Sequence, residues 1–184
     1  ADKAGGVNVS LSIGASKSQS NNSQSSNTAR GSSVTASGNI NLTATGAGQD
    51  SNLTVQGSEI TAGRNVSLNA DNQIALLAAQ NSASQTSTNS SISGSIGVSF
   101  GTGGFGITAS ASKGRGNADG SDLAWTNTHV DAGNQLSLNS GGDTTIKGAV
   151  VAAHQVKADV RGNLAIESLQ DSSTYASKNQ SMGG

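Results

Sequence analysis

His129 and His154 are the only imidazoles in the chain, and there is no cysteine. The two histidines sit in or beside strand-like segments, with no His-x-x-x-His spacing, so no metal centre is expected. A serine nucleophile would need a Gly-x-Ser-x-Gly elbow, and no Gly-x-Ser-x-Gly here lies between a strand and a helix. Gly141-Gly142-Asp143 and Gly120-Ser121-Asp122 are similar to the turns of calcium-binding glycine-aspartate repeats, but the nonapeptide period is missing. The eleven acidic residues form no cluster that could line a cleavage groove, as an enzyme on a β-helix of the pectin-cleaving kind would require. These residues predict no catalysis and no cofactor. The candidates that remain are contact residues. Phe100 and Phe105 flank a glycine-rich turn, Ile96, Val98 and Ile107 alternate beside them, and Trp125 is the only tryptophan. Ile96, Val98, Phe100, Phe105, Ile107 and Trp125 are therefore where a partner or a membrane is expected to touch. A local cross-strand pair is the plainer role for the two phenylalanines, and capping of the stack the plainer role for Trp125.

Composition narrows what can hold these residues. Of 184 residues, 33% are hydrophobic, 2% aromatic and 11% charged, and the net charge is −1. A broad globular core is hard to build from this, yet the charge is too low for a disordered polyelectrolyte. Ten basic residues spread against eleven acidic ones leave no basic patch, so nucleic acid is not an expected partner. The longest apolar run, Ile74 to Ala79, is far too short for a membrane-spanning helix. No signal peptide opens the chain, and it starts and ends in mid-pattern, which reads as a piece of something longer. The lack of cysteine leaves the compartment open. The lack of proline suits a chain that is mostly paired strand.

The apolar residues fall in short alternating runs: Val7 to Leu11, Ile40-Asn41-Leu42, Leu53-Thr54-Val55, Val66-Ser67-Leu68, Ile74-Ala75-Leu76, Leu136-Ser137-Leu138, Thr144-Thr145-Ile146 and Leu164-Ala165-Ile166. Period two predicts strands with one buried face. The runs repeat. Lys17, Val34, Ile40, Leu42 and Gly46 recur 96 positions later as Lys113, Val130, Leu136, Leu138 and Gly142. Val66, Ile74 and Gln80 recur 90 positions later as Val156, Leu164 and Gln170. A tandem repeat of residues 1–90 in residues 97–180 predicts one continuous solenoid over 1–184, an all-β parallel β-helix. Its inward side chains should include Ile40, Leu42, Ile60, Val66, Leu68, Ile74, Leu136, Leu138, Val156 and Leu164. Gly63 and Gly133 are expected to take positive φ at corners. Asn39, Asn65, Gln73, Gln135, Gln155 and Asn163, each just ahead of a strand, are expected to stack as amide ladders.

Residues 81–129 interrupt this spacing and are expected to leave the stack as an excursion. A Ser/Thr/Asn run, residues 81–91, leads into Ser95-Ile-Gly-Val-Ser-Phe100 and Phe105-Gly-Ile-Thr-Ala109 around Gly101-Thr-Gly-Gly104, a β-hairpin pattern. Residues 113–122 read as a polar loop. Residues 7–33 and 171–184 read as parts of equivalent excursions.

Val34-Thr-Ala-Ser-Gly-Asn-Ile40, Ile60-Thr-Ala-Gly-Arg-Asn-Val66 and Val130-Asp-Ala-Gly-Asn-Gln-Leu136 resemble the hemagglutinin repeats of filamentous hemagglutinins. The longer block from Ala78, through Gly94-Ser-Ile-Gly-Val-Ser-Phe-Gly101, to Val130 is similar to the second hemagglutinin-repeat region of contact-dependent growth inhibition exoproteins. The resemblance covers nearly the whole chain. It implies a right-handed parallel β-helix in a secreted bacterial surface protein, exported by an outer-membrane partner in two-partner secretion. It also implies that other regions of the same exoprotein are partners: a secretion domain, a receptor-binding region and a C-terminal toxin, none of which is recognisable here. The repeat region would then assist toxin delivery across the target-cell outer membrane. An adhesin stalk is the competing expectation.

Overall fold

A computed structural model describes residues 8–184. Val7, which opens the first alternating run, and the six residues before it lie outside the described residues. The described chain is almost entirely strand, with one short 3-10 turn at Gly48–Asp50. It divides into two units.

The larger unit comprises residues 26–83 and 122–173. It contains β2 (Ser33–Ala36), β3 (Ile40–Ala44), β4 (Leu53–Gln56), β5 (Glu59–Ala62), β6 (Asn65–Ala70), β7 (Ile74–Leu77), β10 (Thr128–Ser140), β11 (Thr144–Lys147), β12 (Ala149–Val160) and β13 (Leu164–Glu167). All of their pairings are parallel. Val34 pairs with Ile60, Ile60 with Val130 and Val130 with Val151. Ile40, Val66, Leu136 and Val156 form a second row. Val55, Leu76, Ile146 and Ile166 form a third. Four coils thus stack on three strand rows, which is a parallel β-helix. Alternation explains the core: in β6 every second residue, Val66, Leu68 and Ala70, is buried, and the residues between them are half-buried. Like side chains stacked coil on coil give a narrow aliphatic column, so a chain with two phenylalanines can still exclude water from its centre.

Eight of the ten expected inward residues are buried or packed on that column. Val156 and Leu164 are not: they are 50% and 48% exposed. They point along the right rows, but β12 pairs only with β10 and β13 only with β11, so one side of each has no coil against it.

The corner glycines work differently from expectation. Gly63 and Gly133 do not have positive φ; Gly57 and Gly148 do, at 56° and 60°. These two stand between β4 and β5 and between β11 and β12, where the chain turns directly into the next coil. Gly63 and Gly133 are glycine because of close stacking. A Cβ on Gly133 would collide with the Gly63 carbonyl, and one on Gly63 with the Ser37 carbonyl. Gly38, one position further along the corner of the first coil, has open space around it. Gly133→Ala is therefore expected to lower stability by about 1–3 kcal/mol through overpacking, while Gly38→Ala leaves it unchanged. Urea unfolding of the two variants beside the parent would check this, and equal midpoints would show that the corner tolerates a methyl group.

Amide contacts run between coils, at partly different positions from those expected. The Asn65 backbone N–H donates to Asn39 Oδ1 (3.2 Å), and Asn134 Nδ2 donates to Asn65 Oδ1 (3.0 Å). Asn139 pairs likewise with Asn69, and Asn72 with Asn52. Gln135 and Gln155 take no part: the ladder passes through the adjacent Asn134, whose shorter side chain stays at the corner.

The exit and re-entry points of residues 81–129 are tied together. Thr128, fully buried, donates its hydroxyl to the Leu77 carbonyl (2.6 Å). Asn81 accepts from the Ala29 N–H (2.7 Å) and donates to Thr126 Oγ1 (2.8 Å). A buried hydroxyl needs such a partner.

The smaller unit comprises Ser84–Ser121, Thr174–Gly184 and the described part of residues 1–25. Its strands are β1 (Val9–Asn27), β8 (Ala79–Gly101), β9 (Gly104–Thr126) and β14 (Ser172–Gly183), in the sheet order β1-β8-β9-β14. Residues 113–122 are part of β9 and residues 81–91 part of β8. The polar-loop reading of residues 113–122 is thus corrected. Residues 81–91 are mostly Ser, Thr and Asn and residues 113–122 mostly Gly and charged residues, with no apolar alternation, so only pairing with neighbouring strands makes them visible as strands.

Candidate functional site

The expected contact residues are built on the β8–β9 hairpin. Thr102 and Gly103 form its turn, and Gly104 takes φ 112°. Register follows from cross-strand contacts. Ser93 meets Ser112 (2.6 Å) and Ser95 meets Ser110 (2.7 Å), hydroxyl to hydroxyl. A Cβ on Gly97 would reach both Thr108 and Ser12, and one on Gly116 both Asn89 and Asn179. All these side chains therefore share one face, with positions on one strand falling as those on the next rise. The pairing is antiparallel.

Alternation assigns the opposite face. There Phe100 packs on Phe105 with ring centroids 4.9 Å apart, tilted 51°. Val9 stands beside this pair on β1. The next rows are Leu11, Val98 and Ile107; then Ile13, Ile96 and Ala109; then Ala15, Gly94 and Ala111. So over these four rows one face of the sheet is apolar, and the other carries Ser, Thr, Gly and Asn. The apolar face is open: Ile13 is 78% exposed, Ile107 65% and Phe100 59%. Contiguous exposed apolar surface of this kind is a candidate contact surface.

Beyond the last apolar row the same face changes character. Lys17, Ile92, Lys113 and Met182 share a row. Arg115 and Lys178 follow, lining a shallow concavity with Gln19, Asn21, Thr88 and Ser90. The smaller unit carries these four cations and one carboxylate, Asp119, among its described residues, whereas the larger unit carries nine carboxylates and five cations. The modest net charge of the chain conceals this separation.

Of the six residues expected at the site, Ile96, Val98, Phe100, Phe105 and Ile107 stand together on the apolar face. Trp125 does not join them. It belongs to the larger unit, half-buried, and its backbone N–H donates to the Asp171 carboxylate (2.9 Å). Sequence reasoning missed Val9, Leu11 and Ile13 as members of the site, and the cationic border altogether. The alternation of residues 9–13 was the available signal for the first. The border needs register, because Lys17 and Lys113 are far apart in the chain.

The polar candidates are occupied elsewhere. Asp143 Oδ1 accepts from the Asn163 N–H (2.7 Å), holding the turn of the next coil. Asp122 accepts from the Ser173 hydroxyl. His129 contacts the Asn127 carbonyl, and His154 is exposed on β12. Among the described residues, no three His, Asp or Glu side chains gather closely enough to hold a metal ion.

A stacked parallel β-helix whose chain leaves and returns through a long amphipathic hairpin defines a repeat solenoid. The hemagglutinin-repeat family matches residues 13–182, and the chain belongs to that family. It is 42% identical over 181 residues to a deoxyribonuclease CdiA of Yersinia pseudotuberculosis, covering 97% of this chain and 17% of that protein. It is 41% identical over 186 residues to a toxin CdiA of Escherichia coli, covering 97% of this chain and 6% of that protein. A tRNA nuclease CdiA of Yersinia mollaretii is 39% identical over 180 residues, covering 96% of this chain and 6% of that protein. The chain thus spans less than a fifth of the length of these relatives. No solved structure matches it.

Proposed function

We propose that this chain is a non-enzymatic structural segment of an exported bacterial surface exoprotein, and that its hairpin sheet assists delivery of a toxin across the outer membrane of a target cell. Export through an outer-membrane secretion partner, an extracellular location and action together with other regions of the same exoprotein belong to this reading. The relatives named as toxins and nucleases support the delivery half. The observation that carries the contact half is the two-faced sheet, apolar on one side and hydroxyl-rich on the other, with cations at the apolar border.

Dimensions refine the contact. Along β1, β8 and β9 the apolar face runs for seven residues, Val9 to Ala15 on β1, about 20 Å at ~3.3 Å per residue. A transmembrane strand needs about 9–11 residues. The face is too short to cross a bilayer on its own and suits the depth of one leaflet, about 15 Å of hydrocarbon. The cations would then lie level with lipid phosphates. Solenoid stacking also suits export, since each coil forms on the one before it by nearest-neighbour contacts.

Removing residues 92–111 from the full-length exoprotein tests this. Secretion and surface display are expected to persist while toxin delivery to target cells falls. Delivery at the parental level would favour the stalk of an adhesin instead.

A further inference from the structure

Two concavities lie on one face of the smaller unit's sheet, on either side of a cationic row. The first, about 580 Å³, lies on the apolar rows, where Ile13, Ala15, Gly94, Ile96, Ala109 and Ala111 meet. Lys17, Ile92, Lys113 and Met182 form the row that follows. Beyond it is the second concavity, about 470 Å³. Arg115 stands there in a row with Gln19, Ser90 and Gln180, and Lys178 in the next row with Asn21, Thr88 and Asn117. Both volumes fall within the roughly 300–1,000 Å³ of small-molecule sites.

The chemistry of the second concavity is specific. Arg115 and Lys178 only donate, so they call for an anion, and a guanidinium can grip two oxygens of one phosphate. Same-face rows are about 6.6 Å apart and adjacent strands about 4.8 Å, so the two Cα atoms are about 8 Å apart and both long side chains can reach one phosphate. Neither cation is neutralised by the protein: among the described residues the ion pair joins Lys147 to Glu167, and Asp119, one row beyond Lys178, pairs with neither. The remaining side chains are carboxamides and hydroxyls, which both donate and accept, as sugar hydroxyls do. No aromatic ring lines this concavity, so it has nothing on which a nucleobase would stack and no cage for a choline.

We propose that this face seats a phosphorylated glycolipid, with acyl chains in the apolar concavity, phosphate at Arg115 and Lys178, and sugar against the carboxamides. The proposal rests on the reading of the apolar face as a lipid contact and names the lipid. The order of the rows is the order of the parts of such an amphiphile: apolar, cationic, then polar. A soluble sugar phosphate would leave the apolar concavity empty. A plain anionic phospholipid would satisfy the cations and leave most of the carboxamides without a partner.

Vesicle binding tests this. Phosphatidylcholine vesicles carrying a hexa-acylated glucosamine disaccharide bisphosphate are compared with vesicles carrying phosphatidylglycerol to the same charge. The chain is expected to bind the glycolipid vesicles roughly tenfold more tightly, the effect of a few net hydrogen bonds. Gln19→Ala combined with Asn117→Ala keeps every charge and should bring the two affinities together. Ser20→Ala, on the opposite face, should keep the preference. Circular dichroism of each variant would show that the strands are retained. Equal affinity of the parent for both vesicles, or full preference in the double variant, would overturn the glycolipid assignment and leave the lipid contact standing. Binding to neither would overturn both. Soluble glucosamine 1-phosphate should not displace the chain at concentrations where the glycolipid saturates it, and displacement there would overturn the lipid source.

Discussion

Leu68→Ala is expected to lower the stability of the larger unit by about 2–5 kcal/mol, the range for truncating a fully enclosed leucine. Leu68 is fully buried, and it pairs in register with Leu42 on one side and Leu138 on the other. Its loss opens a cavity that neighbours on rigid ladders cannot collapse to fill. Leu68→Asp is expected to unfold the unit, because a carboxylate placed there would have no partner and no water. Leu164 supplies the contrast. It is 48% exposed, so Leu164→Ala removes side-chain contacts on one side only and is expected to cost less than half as much. Chemical denaturation followed by circular dichroism measures all three. If Leu68→Ala and Leu164→Ala shift the midpoint equally, the column is not the source of stability.

The β-helix was legible because its signal is local. Val66-Ser67-Leu68 and Leu136-Ser137-Leu138 each declare a buried face by alternation, and the repeat offset predicts that they stack. What was not legible depends on neighbours. Val156 has the same pattern as Val66 but half its surface is open, since burial requires a coil on both sides. Gly133 looks like a turn glycine, and only the Gly63 carbonyl above it shows that space, not φ, selects it. Residues 113–122 carry no periodic hydrophobicity, and their strand exists only through β8 and β14. The contact face was half legible. Phe100 and Ile107 announce themselves by alternation, but that Val9, Leu11 and Ile13 join them follows from Gly14 standing opposite Ser95. The cationic border was hidden most deeply, because Lys17, Lys113, Arg115 and Lys178 come from three strands distant in sequence.

That border gives the other large expected effect. If the apolar face enters a lipid surface, the four cations meet its phosphates, and each contributes roughly fivefold to partition into an anionic membrane. Replacing Lys17, Lys113, Arg115 and Lys178 together with glutamine is then expected to lower binding to vesicles rich in anionic phospholipid on the order of several hundredfold. Binding to zwitterionic vesicles should change little. Salt separates the charge contribution from the apolar one. Raising ionic strength from about 0.15 M to 1 M shortens the screening length from about 8 Å to 3 Å. The parent chain should then lose most of its preference for anionic vesicles, and the glutamine variant should show no further loss. Phe100→Ser with Phe105→Ser attacks the other component and should weaken binding to both kinds of vesicle, since it removes the paired rings at the tip of the apolar face. Vesicle co-sedimentation reads all of these. A glutamine variant that binds anionic vesicles as tightly as the parent would show that the border faces water, and that the sheet meets its partner through the apolar rows alone.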